Sequence, residues 1–192
     1  GIEAFTLGDH CYRDARVLAL LEKPGAMVAR PANLSARAVG RRVTTVPPAG
    51  RRTRNVSVMT LLGRVYFPLP ADDPFAAADE LLTAIPEQHP IVIVEAHMEA
   101  TSEKSALAQY LDGRVTAVIG SHTHVPTADA RLLPGGTAFI TDVGMCGPYE
   151  SVIGRTTAQV LRFMTTGMHT TLEVGEGGEM LCAVKLVVDE ST

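Results

Sequence analysis

The sequence holds only three cysteines, Cys11, Cys146 and Cys182, and no C-x-x-C pair. Thiols so few and so scattered exclude a disulfide framework and point to a reducing cytoplasm. No apolar run approaches the roughly 18 residues that span a bilayer, and the longest, Ile91–Val94 and Leu186–Val188, read as buried strands. Positive charge is not in excess either: 17 Lys plus Arg stand against 21 Asp plus Glu, a formal charge of −4. This balance disfavours bulk attraction to a nucleic-acid backbone and leaves a local basic patch to supply it. There is no initiator Met and no visible signal peptide. The chain opens Gly1-Ile2-Glu3-Ala4-Phe5-Thr6-Leu7, already a strand, so the expectation is a domain whose N-terminal portion is missing. What is present suffices for a core. With 46% hydrophobic residues over 192 positions, residues 1–192 read as one folded domain and not as a disordered chain.

Strand-like and helix-like stretches alternate. Glu3–Leu7 runs into the turn Gly8-Asp9-His10, and Asp14–Glu22 has helical apolar spacing that stops at Lys23-Pro24-Gly25. After a short strand at Ala26–Ala29, the β-type runs Val39–Val46 and Asn55–Leu62 flank Pro47-Pro48-Ala49-Gly50 as a hairpin. Asp72-Asp73-Pro74 opens a helix through Ala84. Ile91–Ala96 is an apolar strand ending at His97, and Thr101 or Ser102 caps a helix over Glu103–Leu111. Val115–Ile119 ends at Gly120-Ser121-His122-Thr123-His124. Thr137–Thr141, a helix near Thr157–Met164, and strands at Thr170–Val174 and Met180–Val188 complete the pattern. This predicts an α/β domain carrying some antiparallel strands.

Three of these strands deliver a polar, His-bearing turn at their C-terminal ends, the edge where ligands bind in open α/β sheets. The chain has six histidines, and four of them, His10, His97, His122 and His124, sit at these turns. In extended backbone residues i and i+2 share a side, so His122 and His124 would face one centre or two adjacent ones. With Asp9 they offer imidazole nitrogen and carboxylate oxygen, a set suited to Zn, Mn or Fe. Each element also has a plain reading: His97 as a satisfied polar residue, Asp9-His10 as a capped turn. Their joint placement at one edge favours a metal site.

The residues around these turns resemble a known family. His97-Met98-Glu99-Ala100-Thr101-Ser102-Glu103-Lys104, Gly120-Ser121-His122-Thr123-His124-Val125-Pro126-Thr127-Ala128-Asp129 and Ile140-Thr141-Asp142-Val143-Gly144-Met145 are similar to the YmdB-like phosphodiesterases. These belong to the calcineurin-like metallophosphoesterase superfamily. Arg30-Pro31-Ala32-Asn33, Gly63-Arg64-Val65, Asp73-Pro74-Phe75 and Ser151-Val152-Ile153-Gly154 extend the likeness along the chain. The resemblance implies a four-layer α/β sandwich lacking its first strands. It implies hydrolysis of small phosphodiesters such as 2′,3′-cyclic nucleotides by a hydroxide bridging two metal ions, Fe, Mn or Zn, in the complete domain. His97, His122 and His124 match metal ligands, Asp9 falls where the family has a ligating Asn, and His10 matches a catalytic proton donor. A further metal-binding Asp and a Glu-Asn pair would come from upstream of Gly1. The expectation is therefore that this chain alone binds at most one metal well and is nearly inactive.

Two departures stand out: Asp9 adds negative charge in place of Asn, and Arg13 stands where an acidic residue is usual. Arg37, Arg41, Arg42, Arg51, Arg52 and Arg54 cluster on the hairpin, as a solvated edge or as an RNA-contacting ridge. Glu99 and Glu103 are read either as orienting His97 or as ordinary helix-start charge. Cys146 lies in a Gly-rich loop near the site, and His89 and His169 read as surface residues. The alternatives to the phosphodiesterase are a non-catalytic nucleotide- or RNA-binding regulatory protein that keeps a partial metal site, and a phosphomonoesterase. Homo-oligomerisation stays open.

Overall fold

A computed structural model describes residues 1–86 and 91–190, so the expectation for His89 lies outside the described residues. The centre is a six-stranded sheet of order β3-β4-β5-β6-β8-β7. Its strands are β3 (Thr44–Val46), β4 (Val56–Leu62), β5 (Ile91–His97), β6 (Ala117–Ser121), β7 (Arg131–Leu132) and β8 (Ala138–Ile140). The β4, β5, β6 and β8 strands run parallel, and antiparallel β3 and β7 close the two edges. Two helices, α2 (Pro74–Ala84) and α3 (Thr101–Tyr110), make the crossovers from β4 to β5 and from β5 to β6, and the chain passes from β6 to β8 through β7. Two small pairs complete the chain: β1 (Phe5–Thr6) with β2 (Val28–Ala29), parallel, and β9 (Cys146–Pro148) with β10 (Glu179–Leu181), antiparallel. The remaining helices are α1 (Arg16–Glu22) and α4 (Thr157–Thr166). The α/β class and the hairpin are as the sequence predicts.

Strand alternation sorts the sheet into two chemically different faces. Met59 and Leu61 of β4, Val92, Val94 and Ala96 of β5, and Val118 of β6 pack against Ala77, Ala78 and Leu81 of α2 and Leu107 and Ala108 of α3. The intervening residues point the other way. In register these are Thr60 beside Glu95, Glu95 beside Ile119, and His97 beside Ser121. One face of the sheet is therefore the core, and the other carries polar chemistry at its C-terminal edge.

The helix α2 starts where the Asp-Pro signal places it, with the Asp73 carboxylate accepting the Phe75 N–H at 2.8 Å. The α3 start differs from expectation: neither Thr101 nor Ser102 caps it. Ala100 is the N-cap, and its carbonyl accepts the N–H groups of Glu103 and Lys104 at 3.1 and 3.2 Å, so the backbone alone closes the first turn. The C-terminal strands are shorter than the apolar pattern suggests. Thr170–Val174 contributes a single bridge, Arg155 to Val174, and β10 spans three residues. Leu186–Val188 is not a buried strand, since Val187 is 86% exposed. An apolar run forms a strand only where a neighbouring strand pairs its N–H and C=O groups, and residues 183–189 have no such ladder among the described residues. On the hairpin, Arg42 pairs with Glu80, Arg52 with Glu3, and Arg54 donates to the Glu190 carbonyl, so half of the basic cluster is tied to its own chain.

Candidate metal centre

Three polypeptide ends meet at the polar edge: the turn after β1, the last residue of β5, and the turn after β6. The first brings Asp9. Its turn lies directly against His97, because a β-carbon on Gly8 would stand 2.2 Å from His97 Cε1 and 2.4 Å from Nε2. Only glycine admits that approach. His97 Nε2 lies 2.9 Å from Asp9 Oδ1, and His122 Nδ1 lies 3.2 Å from His97 Nε2 and 3.9 Å from the same Asp9 oxygen. Among the described residues, this is the one group of three such donors whose ligand atoms all lie within 4.8 Å of one another.

The donor set fits a transition metal. Ligand atoms about 2.0–2.2 Å from one tetrahedral ion stand about 3.4 Å apart, and the three separations here straddle that value. Two imidazole nitrogens and one carboxylate oxygen suit Zn, Mn or Fe better than Ca. Both imidazoles are also held by partners on their other nitrogen. His97 Nδ1 lies 3.0 Å from Ser121 Oγ and 3.3 Å from Glu95 Oε1, while His122 Nε2 lies 3.1 Å from Glu99 Oε2. An N–H given to those oxygens leaves the lone pairs of His97 Nε2 and His122 Nδ1 for a metal. Phe67, 9% exposed, closes the apolar side, with its ring centroid 4.9 Å from that of His122 and 6.2 Å from that of His97.

The electrostatics are uneven. Burial pushes Glu95 upward, but its hydrogen bonds to His97, Ser121 and Thr6 prevail and hold its carboxyl at about 2. Burial likewise pulls His97 down, and hydrogen bonding to Glu95 outweighs it, leaving the imidazole above its ordinary range. His122 falls below its range through burial and the neighbouring charge of His97. Asp9, raised by burial but lowered more by its bond to His97, ends below the usual carboxylate range. In the absence of an ion, Glu95 and Asp9 favour the protonated form of His97.

The structure places the remaining predicted residues as follows. His10 sits at the cavity mouth, 72% exposed, its Nε2 3.8 Å from Asp9 Oδ2. His124 lines the same cavity but stands outside the three-donor cluster, its Nδ1 3.0 Å from the Ile153 carbonyl. Residues 122–124 are not extended: His122 and His124 have φ of 91° and 66°, so the alternation expected to aim both at one centre does not operate. Glu99 orients His122, not His97. Glu103 orients neither, for its buried carboxylate accepts the N–H groups of Arg64 and Val65, fixing the loop that carries Phe67. Cys146 is exposed and outside the cavity, and His169 is exposed as expected. Glu95, Ser121 and Phe67 escape sequence reasoning; the one signal for Glu95 is an acidic residue inside an otherwise apolar strand.

The cavity above the cluster measures about 650 Å³. Leu7, Val17 and Ile153 give it apolar walls, and Arg155 is its one Lys or Arg among the described lining residues.

A sequence model of the family described as YmdB-like protein matches residues 1–192. The chain belongs to that family. It is 40% identical over its whole length to the 2′,3′-cyclic-nucleotide 2′-phosphodiesterase of Bacillus subtilis (strain 168), of which it covers 71%. A putative phosphatase/phosphodiesterase of Mycoplasma pneumoniae is 42% identical over 139 residues, 71% of this chain and 49% of the relative. Among solved structures, a hypothetical protein from Thermus thermophilus superposes with a TM-score of 0.85 at 42% identity, covering 92% of this chain and 67% of that one. A novel phosphatase from Mycoplasma pneumoniae gives a TM-score of 0.80 at 34% identity, covering 92% and 63%. The YmdB-like chain thus shares the α/β fold of these structures and spans roughly half to seven-tenths of its relatives.

Proposed function

We propose that this YmdB-like chain carries the metal-binding centre of a phosphodiesterase that hydrolyses small phosphodiesters of the 2′,3′-cyclic nucleotide class. The observation that carries the reading is the Asp9–His97–His122 cluster at the C-terminal edge of the sheet, with each histidine oriented by a carboxylate. The name of the Bacillus relative supports the substrate class. A divalent ion held by these donors would supply Lewis acidity, polarising a phosphoryl oxygen and acidifying water. The three donors account for one ion. His124, on the same cavity wall, is the next candidate ligand, and a second ion would draw on it and on donors beyond the described cluster.

The chain's own groups divide the remaining work. Arg155 lines the cavity, and its guanidinium, which donates through Nη1 to the Leu172 carbonyl at 3.2 Å, has further donors that would serve an anionic phosphate and compensate the charge of Asp9. The exposed His10 at the mouth is placed to deliver a proton to the departing alkoxide, which general-acid catalysis typically rewards with 10²–10⁴-fold in rate. The apolar walls leave room for a nucleoside.

The test is made on the natural full-length protein loaded with Mn²⁺, with 2′,3′-cyclic AMP and p-nitrophenyl phosphate assayed in parallel. His10→Ala is expected to retain its metal content and lose diester turnover by about 10²–10⁴-fold. A variant that loses its metal as well would show that His10 serves binding rather than proton transfer. Monoester cleavage without diester cleavage would instead establish the phosphomonoesterase reading, which the name of the Mycoplasma pneumoniae phosphatase structure favours.

A further inference from the structure

A buried ion pair lies behind the histidine turn, outside the cavity lining. Lys104 of α3 is 0% exposed and Asp142, just after β8, is 1% exposed; Lys104 Nζ donates to Asp142 Oδ2 at 2.7 Å. The same oxygen accepts both the backbone N–H of Thr123 at 3.1 Å and its hydroxyl at 2.7 Å. Oδ1 takes the Gly144 N–H at 2.8 Å, and the Asp142 backbone N–H donates to the Thr127 hydroxyl at 3.0 Å. Nearly every polar atom of Asp142 is thus committed, and two of its bonds go to one residue of the turn, Thr123.

Thr123 stands between His122 and His124, both in the left-handed region with φ of 91° and 66°. Residues with a β-carbon hold such backbone only where the surroundings over-determine it. Stability alone does not account for the ion pair, because dehydrating two charges generally offsets their attraction. The turn, by contrast, needs an anchor: His122 must aim Nδ1 at Asp9 and His97 while its Nε2 reaches Glu99. We propose that Lys104 and Asp142 are positioning residues that clamp Thr123 and thereby hold His122 in its metal-binding orientation, so that they set the affinity of the centre for divalent ions. Lys104 acts at one remove, fixing the Asp142 carboxylate so that its second lone pair meets Thr123. The proposal rests on the metal-centre reading above.

The test is calorimetric titration of Mn²⁺ and Zn²⁺ into the parent chain and into Thr123→Val, Thr123→Ser and Asp142→Asn, with melting followed in chelator. Thr123→Val removes one bond of the clamp without touching a ligand. It is expected to bind about tenfold more weakly while its metal-free melting temperature stays near the parent's, and Thr123→Ser is expected to restore affinity. Asp142→Asn should lose more, up to about 100-fold, with circular dichroism showing that it is folded. Parent-like affinity in Thr123→Val, or equal losses in the Val and Ser variants, would overturn the clamp. A parent chain that binds neither ion, while remaining folded, would fail at the earlier step by removing the metal centre itself.

Discussion

At the scale of single residues, the site depends on side chains placed by approach distances that the sequence does not advertise. Gly8 matters because His97 occupies the space its β-carbon would need. Glu95 matters because an ionised carboxylate, largely buried, bonds His97, Ser121 and Thr60 at once. The Glu95 carboxyl is held at about 2 against an ordinary 4.5, so its contribution is fully present above pH 4.5 and is lost as the pH falls toward 2. That difference amounts to something on the order of 3 kcal/mol. His97 runs in the opposite sense: raised above 6.5, its charged form stabilises the metal-free fold at low pH and ceases to do so as the pH rises through its shifted value. Glu95→Gln should therefore lower stability in chelator near pH 6 and flatten the acid side of the profile. Urea midpoints measured from pH 6 to pH 3 check this; parallel curves for parent and variant would contradict it.

At the scale of elements, legibility follows local signalling. The helix α2 is readable to the residue because Asp73 and Pro74 mark its start by local chemistry. The parallel strands β5 and β6 are readable because strands covered by helices become continuous apolar runs. The start of α3 is not, because its first turn closes on a backbone carbonyl, for which no residue type is a sign. The run at 183–189 misleads because apolarity without a pairing strand is not a strand. The same contrast governs the candidate site. Asp9, His97 and His122 are visible from turn chemistry, whereas the φ values that bend the His122–His124 turn depend on contacts with Asp142, distant in sequence. Element packing also carries a prediction. Leu107 of α3 is fully buried between the helix and the core face of the sheet, so Leu107→Ala should cost about 2–5 kcal/mol. The loss should appear in urea unfolding of the metal-free chain, and a cost under about 1 kcal/mol would mean that α3 does not seal that face.

At the scale of the whole molecule, the two faces of the sheet divide labour: the helical face supplies stability and the polar face spends some of it. Asp9, Glu95 and the two half-buried histidines are held close together with charges that favour one another only while His97 carries a proton. A divalent ion held by these donors would replace that proton, so that binding would release it and be linked to both pH and folding. An ion that binds only the folded chain adds RT ln(1 + [L]/Kd), about 2.7 kcal/mol at a hundredfold excess over Kd. At about 2–4 °C per kcal/mol for a chain of this size, saturating Mn²⁺ or Zn²⁺ should raise the melting temperature by roughly 5–10 °C. The rise should shrink as the pH is lowered below the shifted His97 value, because proton and metal compete for the same nitrogen. It should vanish in His122→Ala, which removes a donor, and reverse on adding chelator. Differential scanning calorimetry across pH 5 to 8 with and without Mn²⁺ separates this from nonspecific ion effects. A shift that persists in His122→Ala would place the bound ion elsewhere on the molecule and leave the histidine cluster as a proton-held structural site.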